Sequence, residues 1–270
     1  MSDTDRFQEL VEWFSEHGAR VIVALSGGVD SAVVALAARK ALGDNAIAIT
    51  ANYTTLSNEE LSAAVVVARE IGITHKLIKY DEVENFEFAK NDELRCYHCR
   101  KELARRLSEE SREMDAKLIV DGTHLDDLSD SRPGIRALEE SNVKSPMREL
   151  AISKAEIRAI ARKFKLSVHD KPSNSCLASR IPRGMTITYE KLARIEKSET
   201  IVKKLFNVRQ VRVRDHGDVA RIEVYREELA HLFDVDKLEI LDQLLKKLGF
   251  RYVSIDAIGY RTRSLALIQN

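Results

Sequence analysis

The sequence carries no excess of either charge: 43 Lys+Arg are balanced by 43 Asp+Glu, and its pI is about 7.1. That balance removes the footprint of a dedicated nucleic-acid binder, which needs a basic face to neutralise phosphates. Long hydrophobic runs are also missing. The longest apolar stretches, near residues 21–25 and 32–38, fall far short of the roughly 20 residues that span a bilayer. The first residues, Met1-Ser2-Asp3-Thr4-Asp5, are acidic and lack the apolar core of a secretory leader. A cytoplasmic protein with no membrane partner is expected. Cysteine is scarce: Cys96, Cys99 and Cys176 are odd in number and too few for a disulfide scaffold, so they must be core thiols, metal ligands or reactive groups. No internal repeat or low-complexity tract is evident. What remains is a 270-residue chain, 44% hydrophobic and 32% charged, long enough for one or two domains with real cores.

Apolar strands alternate with amphipathic helices through the first two-thirds. The pattern predicts helix 6–17, strand 21–25, helix 30–42, strand 46–52, helix 57–71, strand 75–80, helix 98–114 and strand 117–121. This spacing implies βαβ units and an α/β fold: a doubly wound parallel sheet with ligands beyond the strand C-termini at a topological switch point. A further helix, 153–165, opens with Ser153 and Glu156 as a capping box. Residues 167–184 read as a long loop rich in Ser, Pro, Asn and Arg, of a length that is more often functional than idle. Beyond it come helix 189–206, a hairpin of strands 208–214 and 220–225 around His216-Gly217, helix 237–248 and strand 251–255. The expected domains are therefore 1–170, an active-site linker at 171–187, and a smaller α+β domain at 188–270.

Ser26-Gly27-Gly28-Val29-Asp30-Ser31 follows the first strand and opens a helix. Glycines let backbone N–H groups approach a phosphate, and the helix N-terminus adds orphan donors and its dipole. Ser26 and Ser31 bring hydroxyls, and Asp30 can cap the helix or hold Mg²⁺. The bland alternative is a tightly packed βα turn. The loop lacks the lysine of the G-x-x-x-x-G-K-[S/T] motif and the Rossmann glycine spacing. Thr50 and Asn52, at the second strand's end, would form an adenine floor. Gly122 and Thr123 belong to Asp121-Gly122-Thr123-His124-Leu125-Asp126-Asp127 after the fourth strand.

Cys96-Tyr97-His98-Cys99 places two thiols just ahead of a predicted helix, and Cys176 lies in the long loop. All three sit in polar segments. Structural zinc would need a fourth ligand from His98 or His169, whereas three thiolates suit a [4Fe–4S] cluster with one iron open. Arg212 and Arg214, two apart on a strand, present both guanidinia to one face as an anion clamp, with Glu223 or Asp218 as alternative ion-pair partners.

The Ser26–Ser31 loop resembles the PP-loop of ATP pyrophosphatases, which release pyrophosphate and transfer AMP to a substrate oxygen. Three more stretches resemble the LarE family: Ser131-Arg132-Pro133-Gly134, Ser145-Pro146-Met147, and the segment from Lys171-Pro172-Ser173-Asn174-Ser175-Cys176 to Leu177-Ala178-Ser179-Arg180-Ile181-Pro182. The likeness runs from about residue 5 to 225. It implies an ATP-dependent sulfur transferase that adenylylates carboxylates of a pyridinium-3,5-dicarboxylate mononucleotide and installs sulfur for a nickel-pincer nucleotide cofactor. It implies ATP as co-substrate, Mg²⁺, and Cys96, Cys99 and Cys176 on a [4Fe–4S] cluster carrying an extra sulfide. In the family's other branch, the cysteine matching Cys176 gives up its own sulfur. Catalytic roles are implied for Cys176, Asp30, Glu199 and Ser179, and substrate contacts for Arg180, Arg212 and Arg214. The partners implied are a small nucleotide, a sulfide donor and further copies of the chain. Pro182-Arg183-Gly184 departs from the family's Pro-Tyr-Gly. The rival readings are a cluster-dependent tRNA thiolase, a zinc-containing amide ligase of the same superfamily, and a nucleotide-binding sensor with a structural thiol site.

Overall fold

The computed structural model describes residues 3–18, 20–129 and 133–260. The elements in chain order are α1 (Asp3–His17), β1 (Val21–Ala24), α2 (Val29–Leu42), β2 (Ala46–Asn52), α3 (Asn58–Ile71), β3 (Thr74–Lys79), α4 (Phe86–Ala89), α5 (Arg95–Glu113) and β4 (Leu118–Val120). They continue as α6 (Pro133–Glu139), α7 (Pro146–Glu149), α8 (Lys154–Lys163), α9 (Tyr189–Phe206), β5 (Val211–His216), β6 (Val219–Val224), α10 (Val235–Lys247) and β7 (Tyr252–Ile255). The chain divides into two compact units: Met1–Phe88 with Glu93–Asn174, and Ala89–Asp92 with Ser175–Asn270. No described helix is long and apolar enough to cross a membrane.

In the first unit four parallel strands lie in the order β3-β2-β1-β4. β1 alternates strictly: Val21 and Val23 join one core with α1, α2, α3 and α8, while Ile22 joins a second with Leu103, Ala104 and Leu107 of α5. Both faces of the sheet are thus covered, as βαβ crossovers require. The chain runs from β1 outward to β3 and then returns to the far side of β1 as β4. This reversal puts the switch point between β1 and β4, where the loops at Ser26 and Gly122 emerge.

One element begins earlier than its sequence suggests. α5 starts at Arg95, so Cys96 and Cys99 lie within its first turns rather than ahead of it. The reason is a buried stripe at helical spacing, Arg95, Leu103 and Leu107, with Cys99 on the same row; packing of this stripe outweighs the weak helix propensity of Cys-Tyr-His-Cys. α8 keeps its expected capping box, with Ser153 accepting from the Glu156 N–H and Glu156 from the Ser153 N–H.

In the second unit, β5 and β6 form an antiparallel hairpin and β7 pairs parallel with β6. Val202 and Phe206 of α9 and Leu241 and Leu245 of α10 pack on Val213, Ile222 and Val224. Residues 171–174 cluster with the first unit and Ser175 onward with the second.

Candidate active site

The glycine loop is shaped by close contact. Gly27 has φ +79°, and a Cβ there would meet the Glu60 carbonyl at 2.4 Å, so only glycine fits. The Ser26 N–H donates to Ser31 Oγ at 3.1 Å, the two serine hydroxyls meet at 3.0 Å, and Ser31 Oγ donates to the Gly28 carbonyl at 3.2 Å. Gly28 caps α2 without a side-chain bond, so no side chain of the cap residue occupies the first N–H groups of the helix, the kind of donors that suit an anion. Gly122 approaches from the end of β4: a Cβ on it would lie 2.7 Å from the Ser31 nitrogen.

Two lysines from distant parts of the first unit reach this loop. Lys154 Nζ pairs with Asp30 Oδ1. Lys171 Nζ donates to the Gly27 carbonyl at 3.0 Å and to Glu60 Oε2 at 2.8 Å. His124 is buried and faces three carboxylates, at 3.8 Å from Asp30, 3.7 Å from Asp126 and 3.5 Å from Asp127. Asp121 gathers the loop after β4, accepting from the Thr123 N–H at 3.2 Å, the Thr123 hydroxyl at 2.5 Å and the Ser145 hydroxyl at 2.7 Å.

Thr50 turns inward. It is buried, donates to the Leu25 carbonyl at 2.7 Å and meets His75 Nε2 at 2.8 Å, so its side chain ties β2 to the residue after β1 and to β3. Asn52, at the end of β2, is half-buried.

Cys96 and Cys99, three residues apart, share one side of α5's first turns. The Arg95 guanidinium lies 3.9 Å from Cys96 Sγ, and Cys99 Sγ donates to Glu82 Oε1 at 2.9 Å. Glu82 is buried and also accepts from the Thr55 hydroxyl at 2.7 Å. Burial raises its pKa above the ordinary carboxylate value, while the hydrogen bonds from Cys99 and Thr55 act in the opposite direction. Gly134 packs on the same turn, with an added Cβ 3.4 Å from the Cys96 carbonyl. Ser131 and Arg132 of that motif lie outside the described residues. Among the described residues, no three His, Cys, Asp or Glu side chains converge as a metal-binding group. The two thiols on one helical face are suited to an iron–sulfur group, and Cys176 belongs to the other unit.

In that second unit Cys176 immediately precedes a short 3₁₀ turn, Leu177–Arg180. Arg180 is 1% exposed. Its Nε and Nη2 form a fork on Glu199 at 2.8 and 3.2 Å, and its Nη1 donates to the carbonyls of Ser175 at 2.5 Å and Cys176 at 3.1 Å and to Ser179 Oγ at 3.1 Å. Glu199 Oε1 further accepts the Val213 N–H at 3.1 Å. The pair expected to contact substrate and to act in catalysis is therefore engaged internally. A fully buried guanidinium needs a carboxylate partner, and this one fastens the Cys176 turn to α9 and β5.

Arg214 is likewise engaged, with Glu223 Oε2 at 3.0 and 2.8 Å and the Ser179 carbonyl at 2.8 Å. Arg212 differs. It is 7% exposed, donates through Nη2 to Ser175 Oγ at 3.2 Å and stacks over the Tyr260 ring at 4.0 Å. Its buried Nε has no hydrogen-bond partner among the described residues. Glu223, its cross-strand neighbour, is turned to Arg214 and Arg221. Burial lowers the pKa of Arg212, and the Arg180 and Arg214 charges add to the effect. A buried cation with an unused donor and two like charges nearby is suited to receive an anion.

The glycine loop falls within residues 6–107, which match the family model for NAD synthase. An uncharacterised protein from Synechocystis sp. is 40% identical over 96% of both chains. The pyridinium-3,5-bisthiocarboxylic acid mononucleotide synthase of Lactiplantibacillus plantarum is 31% identical over 90% of this chain and 87% of its own. The chain belongs to the LarE family. A tRNA-specific 2-thiouridylase from Dinoroseobacter shibae is 27% identical over 61% of this chain but only 52% of its own length.

Within this LarE chain, Lys154, Glu60 and Asp121 were not singled out from the sequence. Lys154 and Glu60 had no local signal, because their partners lie 124 and 111 residues away. Asp121 could have been found through Ser145, whose motif marks the bridge between Lys144 and the end of β4. Where the family's tyrosine is replaced by Arg183, that side chain donates to the Asp92 carbonyl.

Proposed function

We propose that this protein is an ATP-dependent sulfurtransferase that adenylylates a carboxylate of pyridinium-3,5-dicarboxylate mononucleotide and replaces the activated oxygen with sulfur. The observation that carries this reading is Arg212, a buried guanidinium whose Nε has no hydrogen-bond partner among the described residues and whose Nη2 is hydrogen-bonded to the residue before Cys176. A phosphate or carboxylate of the substrate supplies the missing charge. The Lactiplantibacillus plantarum relative, a pyridinium-3,5-bisthiocarboxylic acid mononucleotide synthase, supports the same substrate class.

The backbone N–H groups at Gly27, Gly28 and the start of α2, with the hydroxyls of Ser26 and Ser31, cradle the triphosphate, and Asp30 holds Mg²⁺. Gly122, Thr123 and Asn52 shape the nucleotide's surroundings. A carboxylate oxygen of the substrate attacks the α-phosphorus, the bond to the β-phosphate oxygen breaks, and pyrophosphate leaves. A sulfur nucleophile then attacks the acyl carbon and AMP departs, so that one C–S bond replaces one C–O bond. Arg212 and Arg214 orient the substrate anion, and Ser179 lines the Cys176 turn that Arg180 and Glu199 hold in place. The thiols of Cys96, Cys99 and Cys176 would hold a [4Fe–4S] cluster, which when bound supplies a renewable sulfide at an open iron.

A second reading has one observation in its favour: the Cys99 thiol is hydrogen-bonded to the buried Glu82. In that reading Cys176 gives up its own sulfur, leaving dehydroalanine. Anaerobic purification with iron and sulfide quantitation, then incubation with ATP and the dicarboxylate mononucleotide, separates the two. The cluster reading expects bound iron, lost in Cys96→Ala, and several products per chain. Iron-free protein that makes one product and converts Cys176 to dehydroalanine, read by mass spectrometry, would sink it while leaving sulfur transfer intact. No pyrophosphate and no thiocarboxylate in either preparation would overturn the sulfurtransferase assignment.

A further inference from the structure

Arg212 has an aromatic neighbour as well as an unused donor. Its guanidinium lies over the Tyr260 ring, 4.0 Å from the centroid, and its buried Nε has no hydrogen-bond partner among the described residues. An acidic group binds to N–H donors in the guanidinium plane, so Arg212 can accept one and keep the ring. We propose that Tyr260, backed by Tyr225, determines specificity here by receiving the planar, positively charged ring of a pyridinium nucleotide while Arg212 holds one of its acidic groups. That assignment rests on Arg212 being the receptor for the substrate's anion.

Tyr260 is placed by a turn with little freedom. After β7, the Asp256 carboxylate accepts the N–H groups of Ile258 at 3.0 Å and Gly259 at 3.1 Å, and it is ion-paired with Arg221. Gly259 has φ +78°, and a Cβ there would lie 2.5 Å from the Val224 carbonyl, which accepts the Tyr260 N–H at 2.7 Å. Val224 pairs with Val211, the residue before Arg212, so the end of β6 sets the tyrosine beside the arginine. Packing does not call for a tyrosine at this point. The core that α9 and α10 form on the sheet contains neither Tyr225 nor Tyr260, and both are half-buried. The two rings meet edge-on at 73° with centroids 5.9 Å apart, so aromatic surface continues past the point that Arg212 covers by the width of another ring.

Electrostatics gives this surface its use. Arg180 and Arg214 both act on Arg212, so the receptor suits carboxylates and phosphates but repels a cationic ring. A tyrosine face carries negative potential and attracts a planar cation within about 6 Å of its centroid. Burial raises the pKa of Tyr225, Tyr260 adds to the shift and Arg212 opposes it, so the phenol is neutral and lies in the field of the same guanidinium. Arg194 makes the contrast within this unit. It packs on Phe250 at 4.3 Å, but its Nε and Nη2 are both spent on Asp215.

Isothermal titration of the full chain, without ATP, tests the assignment with pyridinium-3,5-dicarboxylate mononucleotide and with the same nucleotide reduced to its neutral 1,4-dihydropyridine. Both ligands carry the same acidic groups, and the ring charge differs. The unsubstituted protein should bind the pyridinium form roughly 3- to 30-fold more tightly, the range of one cation–π contact. Tyr260→Phe keeps the π face and should keep the preference. Tyr260→Leu keeps apolar bulk and should lose it, so that the reduced form, with its larger net negative charge, binds equally well or better. Tyr225→Leu should shift the ratio in the same direction. Equal weakening of both forms in Tyr260→Leu, with the preference intact, would mark a tyrosine that only supports Arg212 and would overturn the proposal. Equal binding of the two forms to the unsubstituted protein would overturn it without any variant. If the unsubstituted protein bound neither form, the reading of Arg212 as the substrate's receptor would itself fall.

Discussion

Arg180 and Arg212 have the same chemistry and similar burial, and they call for opposite experiments. Among the described residues Arg180 has a carboxylate fork and three oxygen acceptors, and Arg212 has one hydroxyl, an aromatic face and an unused Nε. Removing Arg180 strands Glu199 in a dry interior, so Arg180→Met should lower stability by about 3–5 kcal/mol, measured by chemical denaturation. Arg212→Met removes a buried charge whose Nε has no hydrogen-bond partner among the described residues. Its melting temperature should equal or exceed that of the unsubstituted protein, while the KM for the anionic nucleotide rises at least about tenfold, the scale of a lost charged hydrogen bond. A fall in stability as large as that of Arg180→Met would contradict the anion-receptor role. At the sequence level the two residues were indistinguishable, because a guanidinium's availability depends on which carboxylate the fold brings to it.

His75 offers a test by pH at the same scale. Burial lowers its pKa from the ordinary 6.5. The neutral imidazole is thus the folded-state form, and its contribution is complete above pH 6.5 and is lost as pH falls through the lower folded value. The melting temperature of the protein should therefore drop more between pH 7 and pH 5 than that of His75→Gln, as scanning calorimetry at both values would show. Equal slopes would mean that His75 is not the titrating group.

Among the elements, α8 is legible in the sequence because its signals are local: Ser153 and Glu156 are three residues apart and satisfy each other's N–H groups. Ser153→Ala should cost about 1 kcal/mol of stability in a denaturant titration. The start of α5 was not legible, since burial of Arg95 against the rest of the unit extends the helix through residues with weak propensity for it. The switch point between β1 and β4 depends on strand order and could be inferred only as a rule. Its consequence is concrete at Gly122, where a methyl group would lie 2.7 Å from the Ser31 nitrogen. Gly122→Ala should push the β4 loop off the start of α2 and weaken MgATP binding severalfold with unchanged far-ultraviolet circular dichroism. Unaltered affinity would show that the two backbones need not approach so closely.

For the molecule as a whole, the balanced charge is a functional statement. A tRNA-modifying enzyme gains much of its affinity by neutralising phosphates and releasing counterions. With 43 charges of each sign, this chain is expected to give no mobility shift with total tRNA at about 0.15 M salt. A shift that weakens steeply with added salt would revive the thiouridylase reading.

The sequence by itself determined what local pattern controls: the alternation of strands and helices, the glycine loop at a helix start, the cap of α8, and three cysteines too few for a disulfide scaffold. Tertiary structure decided the charges. Lys154 reaches Asp30 across 124 residues and Lys171 reaches Gly27 across 144, while Arg180 is matched to Glu199 and the Nε of Arg212 is left without a hydrogen-bond partner among the described residues. The physical reason is that backbone hydrogen bonds and side-chain periodicity act between near neighbours, whereas the effect of a charge depends on its burial and on the nearest opposite charge. Both are set only when distant segments pack.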